Sequence, residues 1–177
     1  SGKTTIGRTL ARRLRWTFDH EIGEEVMGRS GIPHCGVTDW DVFQQELKRD
    51  QDQSVVPHCN RIIETWHVGN AAWAHSRGDI DPMNKMIEIS RSVVGRAVPE
   101  VVCVHLMCGH DERHRRCSAL DPSQAMSQSR SIDQILTQTE RIGTKAKEIA
   151  NDIFDEHHLW SVDTTGKLVE EVVDQIQ

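Results

Sequence analysis

The chain opens Ser1-Gly2-Lys3-Thr4-Thr5-Ile6-Gly7-Arg8-Thr9-Leu10-Ala11-Arg12-Arg13-Leu14, and the reading of these residues decides the fold. Gly2-Lys3-Thr4 matches the end of the pattern G-x-x-x-x-G-K-[ST], a loop between a strand and a helix whose backbone N–H groups wrap phosphate oxygens. Gly2 fits the last glycine of that pattern, where the backbone approaches a phosphate with no Cβ in the way. Lys3 would set its ammonium against the β- and γ-phosphates, and the Thr4 hydroxyl would ligate Mg²⁺. A helix must follow, because its N-terminal dipole adds to anion binding. Ile6, Leu10 and Leu14 recur every four residues while Arg8, Arg12, Arg13 and Arg15 can face solvent, which predicts an amphipathic helix there. The competing reading is a plain amphipathic helix in which Ser1 or Thr4 is only an N-cap.

Length and charge bound what surrounds this segment. The chain has 177 residues, enough for one domain with a real core. Lys and Arg number 21 against 27 Asp and Glu, a net charge of −6. With a pI near 5.9, this argues against a protein that holds a nucleic-acid backbone. No stretch approaches the ~20 apolar residues of a membrane span, so no membrane partner is expected. Five cysteines, an odd number, argue against a disulfide framework and for a reducing, cytoplasmic setting.

Working outward, strands and helices alternate. Trp16-Thr17-Phe18 reads as a short strand ending in Asp19-His20-Glu21, followed by a helical piece over 22–29. A helix is predicted from Asp39 to Lys48, then a loop over the polar run 49–53. Arg61-Ile62-Ile63 leads into Glu64-Thr65-Trp66-His67 as a strand end, with a helix over 70–76, a turn over 78–82 and a longer helix over 83–96. Val101 to Met107 is a β-branched, nearly continuous apolar run, the composition of a strand covered on both faces. A basic helix over 111–117, a Ser- and Gln-rich loop over 118–131, a long helix over 132–154, a strand Leu159–Asp163 and a helix over 166–177 complete the chain. The alternation predicts a single α/β domain over 1–177, a three-layer parallel sheet with helices on both faces. The strand and first half of the loop that would precede Ser1 are not in the sequence, so these residues alone are expected to bind ATP weakly.

In open parallel sheets, ligands bind beyond the carboxyl ends of the strands. Four polar groups fall there: the loop, Asp19 with Glu21, Glu64 with His67, and the segment from Cys108 to Cys117. Asp19, Glu21 and Glu64 can orient Mg²⁺ or accept a proton from an attacking hydroxyl; Asp19 can equally be a helix cap and Glu21 a solvated acid. Arg113 and Arg116, three apart on a helix, can point the same way and neutralise charge on a transferring phosphoryl group. Arg130 is a further candidate. Cys108, His110, His114 and Cys117 supply zinc-type ligands, but at a spacing that matches neither common zinc pattern. His34-Cys35 and His58-Cys59 have no standard ligand spacing either. Trp66 and Trp73 can stack on a ring substrate or fill the core.

Taken together, these residues resemble the P-loop kinases of nucleotides and small metabolites. Ser1-Gly2-Lys3-Thr4-Thr5 and its helix look like the second half of their phosphate loop. Phe18-Asp19-His20-Glu21-Ile22 looks like the acidic strand end of shikimate- and gluconate-kinase-type enzymes. From Ile62 onward the order is closer to thymidylate and deoxynucleoside kinases: an acidic strand end at Glu64, two helices, a strand over 101–107, and an acid-x-x-x-Arg turn at Glu112–Arg116. Asp163-Thr164-Thr165-Gly166 is similar to their adenine-side loop. Glu64-Thr65 stands where thymidylate kinases usually carry Asp-Arg, which leaves the acceptor open. The resemblance implies a P-loop NTPase fold and an ATP- and Mg²⁺-dependent phosphotransferase. Lys3, Glu64, Asp19, Arg113 and Arg116 would be catalytic, and Ser1 to Thr5 would bind nucleotide. The acceptor would be a nucleotide, nucleoside or other small metabolite, and association into a homodimer stays open. The alternative is a non-catalytic or regulatory nucleotide-binding domain of a larger protein.

Overall fold

A computed structural model describes residues 2–23, 38–54, 60–96, 101–119 and 131–177. The expected helix over 24–29, Ser1, the His34-Cys35 and His58-Cys59 pairs, Arg130 and most of the 118–131 loop lie outside the described residues.

Helix α1 (Lys3–Leu14) starts on Gly2, whose φ of 79° is left-handed, and ends on Arg15, also left-handed, whose N–H bonds to the Ala11 carbonyl. Strand β1 (Thr17–Asp19) pairs in parallel with β2 (Arg61–Ile63), with Thr17 opposite Arg61 and Asp19 opposite Ile63. Helix α2 (Asp39–Ser54) lies between them in sequence, and α3 (His67–Arg77) and α4 (Ile80–Arg96) follow β2. Strand β3 (Cys103–Met107) pairs in parallel with β4 (Leu159–Asp163). Helices α5 (His110–Ser118) and α6 (Ile132–Ile153) lie between those strands, and α7 (Val169–Ile176) closes the described chain. The fold is mixed α/β, with short parallel strands in two small sheets, β1–β2 and β3–β4. Among the described residues the two pairs are not hydrogen-bonded to each other, where the sequence predicts one sheet.

Two apolar clusters organise these elements. One gathers Ile6 and Leu10 of α1, Val172 and Val173 of α7 and Val162 of β4, with Ile62, Val104 and Leu106 packed against them. The other joins Phe43 of α2, Ala71, Ala72 and Ala74 of α3, Met83 and Met86 of α4, and Ile142, Ile149 and Ala150 of α6, with Cys103 and Leu159 against it. Alternate residues of β3 and β4 thus serve different clusters, as the two-residue period of a strand requires. The three alanines of α3 let neighbouring helices approach closely. Gly7 does the same for α1 over β1, since a Cβ there would lie 2.5 Å from Phe18 Cε2. Arg13 ties α1 to α7 through Glu170 and Asp174.

Several boundaries differ from expectation for identifiable reasons. Residues 49–53, predicted as a loop, continue α2, because Arg49 and Asp50 turn inward to polar partners rather than to water. The helix after β2 begins at His67 rather than Asn70. Gly78 caps α3 in the left-handed region, and α4 begins at Ile80, inside the predicted turn. Pro82 sits in the first turn of α4, where its missing N–H costs nothing. Among the described residues, no helix is long and apolar enough to cross a membrane.

Candidate functional site

The site is built where β2 ends. The Glu64 N–H bonds to the Asp19 carbonyl at 3.0 Å, extending the β1–β2 pairing by one residue. Thr65 then adopts a φ of 48°, a left-handed conformation uncommon for a β-branched residue. A Cβ on Gly69 would lie 2.3 Å from Thr65 Cγ2, so the first turn of α3 has room for Thr65 only because position 69 is glycine. Beside this bend, Thr4 Oγ1 donates to Glu64 Oε1 at 2.8 Å in a half-buried contact. The first turn of α1 and the end of β2 therefore meet through the two side chains singled out for metal and catalysis.

Helix α5 brings Arg116 to the same end of α1. Its Nη1 lies 3.9 Å from the position a Gly2 Cβ would take. Arg116 is held from two sides: Nε donates to Glu112 Oε1 at 2.7 Å, and Nη2 donates to the Thr164 carbonyl at 3.1 Å. Glu112 also accepts two bonds from Arg115, and the two guanidinium groups hold its carboxyl down at about 2. Thr164 is buried and fixed in turn, since its N–H and hydroxyl both donate to the Met107 carbonyl, at 2.9 and 2.8 Å. The ends of β3 and β4 thereby set where Arg116 stands.

The other candidates are placed differently. Lys3 and Thr5 are exposed on the first turn of α1, and Lys3 makes contacts of its own. The Asp19 carboxylate is paired with Arg61, Oδ2 accepting from Nε at 2.7 Å and from Nη2. Arg113 does not share a target with Arg116; its Nη2 donates to Glu140 Oε1 of α6 at 3.2 Å. Their three-residue spacing leaves enough angular difference for the two forks to diverge. Among the described residues, no group of three or more His, Cys, Asp or Glu side chains gathers as a metal site; the Cys117 side chain lies outside them. Trp66 and Trp73 both pack against the larger apolar cluster.

Sequence reasoning missed a polar cluster beside β1 and β2. Glu46 is fully buried and accepts from Asn70 Nδ2 at 2.7 Å. Burial, reinforced by the nearby Asp50 and Glu21, pushes its carboxyl up to about 9, so it is neutral at pH 7. Asp50 accepts from Trp66 Nε1 at 2.8 Å and lies 3.3 Å from His67 Nε2. His67 is fully buried, stacked on Trp66 with ring centroids 4.1 Å apart, and burial lowers its pKa. The available signal was spacing: Phe43, Glu46 and Asp50 share one helix face with an aromatic core residue.

No protein-family model matches the chain, and comparison with curated proteins returns no match.

Proposed function

We propose that this chain is an ATP-dependent phosphotransferase acting on a nucleotide, nucleoside or other small metabolite, built as a P-loop-type α/β domain. The observation that carries the reading is the 2.8 Å bond between Thr4 and Glu64 beside a left-handed Gly2. It joins the loop pattern of the first residues to an acid at a strand end, and Arg116 stands beside Gly2 of that pattern. Ile62 of β2 and Val104 and Leu106 of β3 pack against the same cluster as α1, which supports one three-layer sheet in which a further parallel strand bridges β2 and β3.

The residues fit the group such an enzyme needs. Thr4 and Glu64 offer neighbouring oxygen donors, the hard ligand type Mg²⁺ takes, and would hold the cation. When bound, Mg²⁺ neutralises charge on the nucleotide phosphates. Gly2, Lys3, Thr4 and Thr5 offer backbone N–H groups, an ammonium and hydroxyls at a helix N-terminus, a favourable place for phosphate oxygens. Arg116, fixed by Glu112 and Thr164, presents a cation that need not reorganise as charge builds on the transferring group. Glu64, released from Thr4, can accept a hydrogen bond from an acceptor hydroxyl. A cytoplasmic setting belongs to the same proposal, in keeping with the free thiols of Cys103 and Cys108.

A second reading, a non-catalytic nucleotide-binding domain, draws on the pairing of Asp19 with Arg61 and of Arg113 with Glu140, which engages two groups that turnover would use. One assay separates the two. Incubated with Mg²⁺, ATP and a panel of nucleosides, nucleotides and sugars, a phosphotransferase shows acceptor-dependent ADP formation. Lys3-dependent ATP binding with no acceptor-dependent turnover would instead establish the second reading.

A further inference from the structure

We propose that Thr65 is a positioning residue: the bend it makes holds the Glu64 carboxylate against Thr4. Two features of Thr65 work against stability. Its φ of 48° is left-handed, which crowds a β-branched side chain, and its hydroxyl oxygen is buried with no hydrogen-bond partner among the described residues. Arg15 is the other non-glycine residue with a positive φ among those described. It ends α1, where a left-handed residue helps to satisfy the last carbonyls of the helix. Thr65 ends no helix, so capping does not explain it.

Anchors on either side account for the conformation. Before the bend, the Glu64 N–H is bonded to the Asp19 carbonyl of β1 at 3.0 Å. After it, Trp66 Nε1 donates to Asp50 of α2 at 2.8 Å, and the buried His67 ring packs on Phe43 with centroids 4.7 Å apart. Strained backbone persists where its surroundings over-determine it, and here one residue joins a segment tied to a strand to a segment tied to a helix. Thr65 Cγ2 fills the space beside Gly69, since a Cβ on Gly69 would stand 2.3 Å from it. A branched side chain wedged there stiffens the bend. The bend in turn fixes the residue before it: Glu64 stops at the strand end with Oε1 2.8 Å from Thr4 Oγ1. That Glu64 also holds Mg²⁺ rests on the phosphotransferase reading; the link from Thr65 to the Thr4–Glu64 bond does not.

The test asks whether positions 65 and 4 are coupled through Glu64. Denaturant unfolding of the full chain is compared with and without Thr4→Val, in the wild-type, Thr65→Gly and Thr65→Val backgrounds. Glycine adopts the left-handed region freely and removes the wedge, whereas valine keeps the branch and loses only the hydroxyl. In the wild type, Thr4→Val should raise the unfolding constant about tenfold, the scale of one hydrogen bond to a charged group. In Thr65→Gly the same change should raise it about threefold or less, and Thr65→Val should restore the full effect. Equal effects of Thr4→Val in the wild type and in Thr65→Gly overturn the proposal, as does a Thr65→Val that behaves like Thr65→Gly. Should Thr65→Gly fail to fold, Thr65→Asn, which also tolerates the left-handed region, takes its place. Binding of ATP with and without Mg²⁺ is measured on the same proteins. Mg²⁺ should tighten ATP binding by the wild type, and Thr65→Gly should cut that gain about tenfold while Thr65→Val preserves it. No gain from Mg²⁺ in the wild type would sink the phosphotransferase reading and leave the unfolding comparison to decide the role of Thr65.

Discussion

Thr4 and Glu64, 60 residues apart, are joined by a 2.8 Å hydrogen bond from a threonine hydroxyl on the first turn of a helix to a carboxylate at a strand end. Removing it separates stability from ligand binding. Glu64→Gln keeps the shape and one acceptor, so the unfolding free energy should change by no more than about 1 kcal/mol. Losing the carboxylate charge should weaken Mg²⁺–ATP binding far more than metal-free ATP binding. Denaturant melts alongside nucleotide titrations with and without Mg²⁺ check this.

Gly7 is needed for the approach of α1 to β1. Its Cβ would meet Phe18 Cε2 at 2.5 Å, and the Phe18 ring is itself set edge-on to His20. Overpacking costs about 1–3 kcal/mol, against the ~1 kcal/mol that alanine gains over glycine in a helix. Gly7→Ala should therefore lower the denaturation midpoint, whereas an isolated helix would be stabilised by the same change.

Glu46 gives a pH dependence with a definite sign. Its folded-state value of about 9 lies above the ordinary 4.5, so between those limits the folded state holds a proton that the unfolded state has lost. Stability from this group falls as pH rises through that window. Glu46→Gln stays uncharged in both states and can still accept from Asn70. Its melting temperature relative to wild type should therefore rise between pH 7 and 8.5, above the range in which His67, with its lowered pKa, titrates.

Ser131 caps α6 reciprocally: its hydroxyl accepts from the Gln134 N–H at 3.2 Å, and its own N–H donates to Gln134 Oε1 at 3.0 Å. Ser131→Ala should cost about 1 kcal/mol, measured by chemical denaturation.

What could be read from the sequence follows from which interactions are local. The amphipathic stripe of Ile6, Leu10 and Leu14 gave α1, and the apolar run before Cys108 and the stretch Leu159–Asp163 gave β3 and β4. That the start of α1 would meet Glu64 on one side and Arg116 on another was legible because parallel strands carry their polar ends on one side. Less visible were the tertiary pairings that consume charge. Nothing near Asp19 in sequence announces Arg61, and nothing near Arg113 announces Glu140. The continuation of α2 through residues 49–53 was hidden for the same reason, since its polar residues look solvated until Trp66 and His67 of a distant segment are placed against Asp50.

Calorimetric titration of Mg²⁺–ATP into the wild-type chain and into Lys3→Ala addresses the loop itself. Saturable binding, even if weak, that Lys3→Ala reduces at least about tenfold is the predicted result, the loss of one charge-assisted contact to phosphate. Equal affinity in the two proteins, or no saturable binding by wild type, would contradict the assignment of residues 2–5 as a nucleotide phosphate loop.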